Sequence, residues 1–208
     1  MNKTIAILIV IIAALVISLT TILAYFLIYS PINEDGYGGY GHGMMGNMDQ
    51  EFIENMIPHH QDAVDMSNMA LTKAEHPEIK QLAMNISSSQ SKEIAEMRTW
   101  YKEWYGTDVP PNSSMMGSVT DLNRLKNAKD FDKEFIEQMV PHHQMAIMMA
   151  QMVLSHSNRP EIRGLAESII QSQSKEINEM RTWYKEWYGT DVPTNSGTMG
   201  SNNGMMSK

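Results

Sequence analysis

Two pairs of adjacent histidines, His59-His60 and His142-His143, are the residues of this chain best suited to chemistry. Each pair stands in the same short phrase. The first is Met56-Ile57-Pro58-His59-His60-Gln61; the second, 83 residues later, is Met139-Val140-Pro141-His142-His143-Gln144. On a helix Met56, His59, Ala63 and Met66 fall along one stripe, and His60 lies about 100° round, still near Met56. The second copy is richer in thioether: Met139, His142, Met145, Met149 and Met152 share the stripe, with Met148 beside it. Further along each copy, Gln90, Glu93 and Met97, and again Gln173, Glu176 and Met180, recur at helical spacing. Helices that face one another on these stripes would bring imidazole, thioether and carboxylate together. Imidazole ligates several first-row metals, whereas thioether selects Cu(I). Taken alone, helical methionines are gap-filling core residues before they are ligands. A single buried histidine would read as a satisfied core group. Two repeated pairs, each with methionine at helical spacing, favour a metal.

Composition narrows the chemistry. The 208-residue chain has no cysteine, so disulfides, thiolate metal sites and cysteine nucleophiles are excluded. A net charge of −8 with no basic stripe argues against a nucleic-acid partner. Methionine, at 20 residues, is several-fold above ordinary usage. Many of these lie in polar, glycine-rich stretches, where packing gives no reason for them: Met44, Met45 and Met48; Met115 and Met116; Met199, Met205 and Met206.

The elements that must position the histidines follow from the pattern. Residues 1–30 hold an almost unbroken apolar run from Ile5 to Ile28. Its 24 residues suffice to cross a hydrocarbon core of roughly 30 Å. Bulky Tyr25 to Tyr29 occupy the place where a signal-peptide cleavage site would need small residues, so a retained anchor is expected. Lys3 before the run favours an outward-facing remainder, periplasmic or extracellular. Residues 31–48 read as a Gly/Met-rich tether without helix or strand. Residues 49–110 and 132–193 align without a gap, and the thirteen residues Met97–Val109 recur unchanged as Met180–Val192. Each unit reads as two helices. The first is capped by Asp49 or Asp132 and runs some 25 residues. The second starts at Pro77 or Pro160 and stops at Gly106 or Gly189. Pro58 and Pro141 fall inside the first helices, where proline costs about 3 kcal/mol and bends the axis; the alternative is a helix that begins at the proline. Residues 111–131 form a linker with a short helix near Asp121–Ala128, and residues 194–208 a flexible tail. The Trp/Tyr ends, Trp100 to Tyr105 and their copies, read as plugs of the bundle ends, with a cation–π role as the lesser alternative. The expected fold is all-α: two tandem helical hairpins packed as a four-helix bundle, preceded by one transmembrane helix.

The pattern Phe52, Met56-Ile57-Pro58-His59-His60-Gln61, Ala63, Met66, then Gln90, Glu93-Ile94, Met97 and Trp100, present twice over residues 49–106 and 132–189, resembles the DUF305 family. That resemblance implies an exported, ferritin-like four-helix bundle. It also implies copper binding, with His59, His60, Met56 and Met66 and their counterparts His142, His143, Met139 and Met149 as ligands.

The expected function is therefore a membrane-anchored copper-binding protein rather than an enzyme. It would sequester copper or exchange it with another copper-handling protein. The full candidate set is His59, His60, Met56, Met66, Glu93, Met97, His142, His143, Met139, Met145, Met149, Met152, Glu176 and Met180. Asp62 and Asp65 of the first copy become Met145 and Met148 of the second. The second copy is thus expected to favour Cu(I), and the first to admit Cu(II) as well. A ferritin-like oxidase would want two Glu-x-x-His motifs; the chain has Met-x-x-His instead. A metal-free structural bundle is the other alternative, in which the four histidines could be replaced without loss.

Overall fold

The computed structural model describes residues 42–111 and 120–193. Within them the chain is all-helical, with no strand. Five helices follow in order: α1 (His42–Lys73), α2 (Pro77–Tyr105), α3 (Leu122–Lys126), α4 (Phe131–Leu154) and α5 (Pro160–Tyr188). The apolar run 5–28 and the tail 194–208 lie outside the described residues. Among the described helices none is long and apolar enough to cross a membrane.

The local signals act as their chemistry predicts. Pro77 and Pro160 open α2 and α5. Gly106 and Gly189 end them in the left-handed region, at φ 71° and 70°, each amide bonding the carbonyl four residues back. Pro58 and Pro141 lie inside α1 and α4, which run continuously through them, so neither helix begins at its proline. The linker helix α3 is capped by the Asp121 side chain, which accepts from the Arg124 amide.

Two expectations about the helix starts are corrected. The helix α1 begins at His42 rather than Asp49, so His42–Met48 is helix and not tether. Once residues 49–73 are held by packing, each added residue gains a backbone hydrogen bond without a new nucleus. Helix α4 is capped by Asp130, whose carboxylate accepts from the Lys133 amide at 2.9 Å, and not by Asp132. The Asp132 carboxylate is taken by the other hairpin. It accepts from the amides of Glu75 (3.1 Å) and His76 (2.7 Å) and from His76 Nδ1 (2.6 Å). Asp49, its repeat partner, is likewise buried inside α1 and pairs with Arg159 at 3.2 Å.

The helices α1 and α2 form one hairpin, α4 and α5 the other, and the hairpins meet along α1 and α4. Helices α1 and α4 run antiparallel. Phe52–Ile57 shares a buried cluster with Ala146–Val153, and Ala63–Ala70 shares a second with Phe131–Val140. The repeat thus becomes an approximate two-fold relation whose centre falls between the histidine pairs. Each fully buried side chain, such as Ile53, Phe135 or Ile136, contributes about 1.5–3 kcal/mol. The aromatic ends lock each hairpin to the turn of the other. Trp187 stacks on His76 with centroids 3.7 Å apart, and the Arg159 guanidinium lies 4.1 Å over Trp104. The cation–π contact read as the lesser alternative is present, in a structural role.

Candidate metal centre

The central contact between the hairpins is His59 against His142, ring centroids 3.7 Å apart and both rings buried. The other member of each pair turns inward along its own hairpin. His60 Nε2 donates to Glu93 Oε2 at 2.7 Å, and His143 Nε2 donates to Glu176 Oε2 at the same distance. His142 Nε2 donates to the His59 carbonyl oxygen at 3.1 Å. The sequence pairs are therefore split. One imidazole of each pair faces the other hairpin, and the second is held by its own.

Five ring nitrogens at this layer are buried without a hydrogen-bond partner in the protein: both of His59, and Nδ1 of His60, His142 and His143. In His60, His142 and His143 the Nε2–H is tied to an oxygen acceptor, which leaves Nδ1 as a bare lone pair. Metal-ligating histidines show this arrangement, with one ring nitrogen anchored and the other free to ligate. Gln90 Oε1 and Gln173 Oε1 are also buried and unpartnered. Leaving such groups unmet costs about 1–3 kcal/mol each, a cost that a bound cation would offset. The carboxylates of Glu93 and Glu176 are engaged by imidazole. Among the described residues no three His, Asp or Glu side chains gather as a metal cluster.

The thioethers divide by the two-fold relation. Met56, Met97 and Met149 belong to one buried cluster, and Met139, Met180 and Met66 to the other. Each set takes two methionines from one hairpin and one from its partner. Met145 is half-buried against the first cluster, while Met148 and Met152 are exposed. Met84 is exposed too. Sequence reading missed His76 and the cross-hairpin role of Asp132; an aspartate at a helix start looks like a cap until its partner is known.

Burial sets the charge of the central pair. It pushes His59 from the ordinary 6.5 down to about 3, with His60 and His143 adding repulsion. Burial, followed by the neighbouring imidazoles, holds His142 well below its ordinary value. Both are neutral at pH 7 and keep a lone pair to offer. Below pH 6.5 the unfolded chain takes up protons that the folded protein refuses. Stability is thus complete above 6.5 and falls as pH drops toward the folded value near 3. The slope is at most about 1.4 kcal/mol per pH unit for each histidine. Urea midpoints of the metal-free protein should fall between pH 7 and pH 5, and the variant His59→Leu/His142→Leu should lose part of that slope. An unchanged slope would place the acid sensitivity elsewhere.

These features define a class: an all-helical tandem-hairpin protein whose halves meet on buried, neutral imidazoles. The chain belongs to the DUF305 family, described as a domain of unknown function, whose profile matches residues 49–184 and, overlapping, 132–208. Among solved structures it is similar to CopM. The Cu(I)-bound form of CopM is 55% identical, with a TM-score of 0.64 over 68% of this chain and 98% of CopM. The Cu(II)-bound form is 53% identical, with a TM-score of 0.65 over 67% and 97%. A DUF305 protein from Streptomyces coelicolor, 24% identical, shares the fold at a TM-score of 0.64 over 72% of this chain and 97% of its own. A curated relative, the uncharacterized protein L153 of Acanthamoeba polyphaga mimivirus, is 45% identical over 51 residues. That match spans about a third of the relative's length (34%) and 24% of this chain.

Proposed function

We propose that this protein binds copper, Cu(I) in preference, and sequesters it or hands it on without catalysing a reaction. In this reading the two hairpins form one ferritin-like four-helix bundle. The observation that carries the proposal is the facing pair His59 and His142, buried and neutral, within a layer of five unpartnered ring nitrogens. The similarity to CopM, which has been crystallised with Cu(I) and with Cu(II), supports the choice of metal. His59, His60, His142 and His143 supply nitrogen. Glu93 and Glu176 orient His60 and His143 rather than ligate. Among the described residues no carboxylate or imidazole cluster forms a harder site, and Met56, Met97 and Met149, or Met139, Met180 and Met66, complete the donor set as thioethers. The ligands then bridge both repeats, which makes metal binding a clamp between the hairpins. We assign the apolar run 5–28 as a membrane anchor that holds the bundle on the outer side of the membrane.

The test is anaerobic titration of the full chain in detergent with Cu(I) against a competing chelator. The expected result is tight binding that withstands the chelator. Binding no stronger than free methionine gives would overturn the proposal and favour a metal-free structural bundle.

A further inference from the structure

The two-fold relation also breaks at the linker helix. Over the first turns of α4 lies the linker helix α3. Its Leu125 is fully buried among Phe131, Phe135, Met66 and Ala70. Gln138 accepts from the Asp121 amide at 2.8 Å and donates to the Asp121 carbonyl at 3.1 Å, while Arg124 pairs with Glu134 at 2.6 Å. Lys73 at the end of α1 donates to the Lys126 carbonyl. The helix α3 therefore fills the angle between the start of α4 and the end of α1.

The repeat-equivalent angle lies between the start of α1 and the end of α4, and among the described residues no segment fills it. It is a cavity of about 200 Å³, lined by Met48, Glu51, Phe52 and Asn55 of α1 and Met149 and Met152 of α4. Position 48 answers to Phe131 and position 55 to Gln138, so two of the residues that hold α3 are replaced, while Glu51 and Phe52 repeat Glu134 and Phe135. Three thioethers from both hairpins meet this space. Met152 stands at the rim, 54% exposed; Met48 is half-buried; Met149 forms the floor, 8% exposed. Met149 also belongs to the buried cluster of Met56 and Met97. Along α4, Met152, Met149, Met145 and His142 succeed one another at three- and four-residue steps, a path of about 15 Å at 1.5 Å per residue.

We propose that this open angle is the loading site for a soft monovalent cation. Met48, Met149 and Met152 capture Cu(I) from solvent or a donor. Met149 then passes it by thioether exchange, with no change of oxidation state, toward Met56 and the His59–His142 layer. The equivalent route in the other half is closed by Leu125, so loading is one-sided. This inference rests on the copper reading above.

The experiment compares the full chain with Met48→Leu/Met152→Leu, a volume-conserving change that leaves the core contacts of Met149 in place; circular dichroism checks helix content. Cu(I) is delivered from a chelator complex and followed by stopped flow, with the final stoichiometry read by chelator competition. The double variant should hold one ion fewer and load at least tenfold more slowly. Stoichiometry and rate equal to the unaltered protein, in a protein that does bind Cu(I), would overturn the loading site alone. Failure of the unaltered protein to bind Cu(I) would overturn both this site and the copper reading.

Discussion

Replacing His59 and His142 together by leucine should lower Cu(I) affinity at least a hundredfold, about 2.7 kcal/mol, while leaving the metal-free protein as stable as before or more so. The two halves of this expectation have one cause. The rings are buried at the contact of α1 with α4, and three of their four nitrogens lack a partner. Leucine fills much of the same volume and removes polar atoms that the fold leaves unsatisfied, a change that is neutral or favourable in a core. A histidine placed for packing would behave in the opposite way, with affinity unmoved and stability reduced by the change of shape. Chelator competition and thermal melting on the same samples separate the two. A melting temperature several degrees lower with affinity unchanged would return the pair to a structural role.

Asp132→Ala should cost about 3 kcal/mol of folding stability, well above the effect of Asp49→Ala at the repeat-equivalent position. Asp132 is buried and accepts from two backbone amides and one imidazole of the opposite hairpin. Its loss strands amide donors just before α2, and hydrogen bonds to a charged group contribute roughly 1.5–3 kcal/mol each before compensation by water. Asp49 makes one ion pair with a part-exposed Arg159, and its Oδ1 is already without a partner. Pairs of that kind contribute about 1 kcal/mol or less. Denaturant unfolding of both variants measures the difference. Equal losses would mean that the asymmetry between His76 and Arg159 has no energetic weight.

The helices and their stops were legible because each signal is local. Proline at a first turn, glycine in the left-handed region and the Asp121 cap need no distant partner to act. The repeat added the hairpins and their pairing, since two copies of one half-buried unit have each other to pack against. What the sequence left hidden depends on which hairpin a side chain faces. Asp132 resembles a cap by position, yet its acceptor capacity is used across the interface. His59 and His60 are neighbours in the chain but diverge, one to the opposite hairpin and one to Glu93. The methionine stripes read as one stripe per repeat; packing puts methionines of both hairpins into each of two clusters and leaves Met152 at a surface opening. The start of α1 at His42 escaped because glycine content weighs against a helix locally, while the packed segment beyond it supplies the nucleus.

The most direct test of the central claim is X-ray absorption at the copper edge on protein loaded with one equivalent of Cu(I). Copper held in the histidine layer should give a mixed shell of nitrogen and sulfur with the multiple-scattering signature of imidazole, and that signature should vanish in His59→Leu/His142→Leu. A shell of sulfur alone in the unaltered protein, with no imidazole scattering, would contradict the claim and move the copper to the methionines.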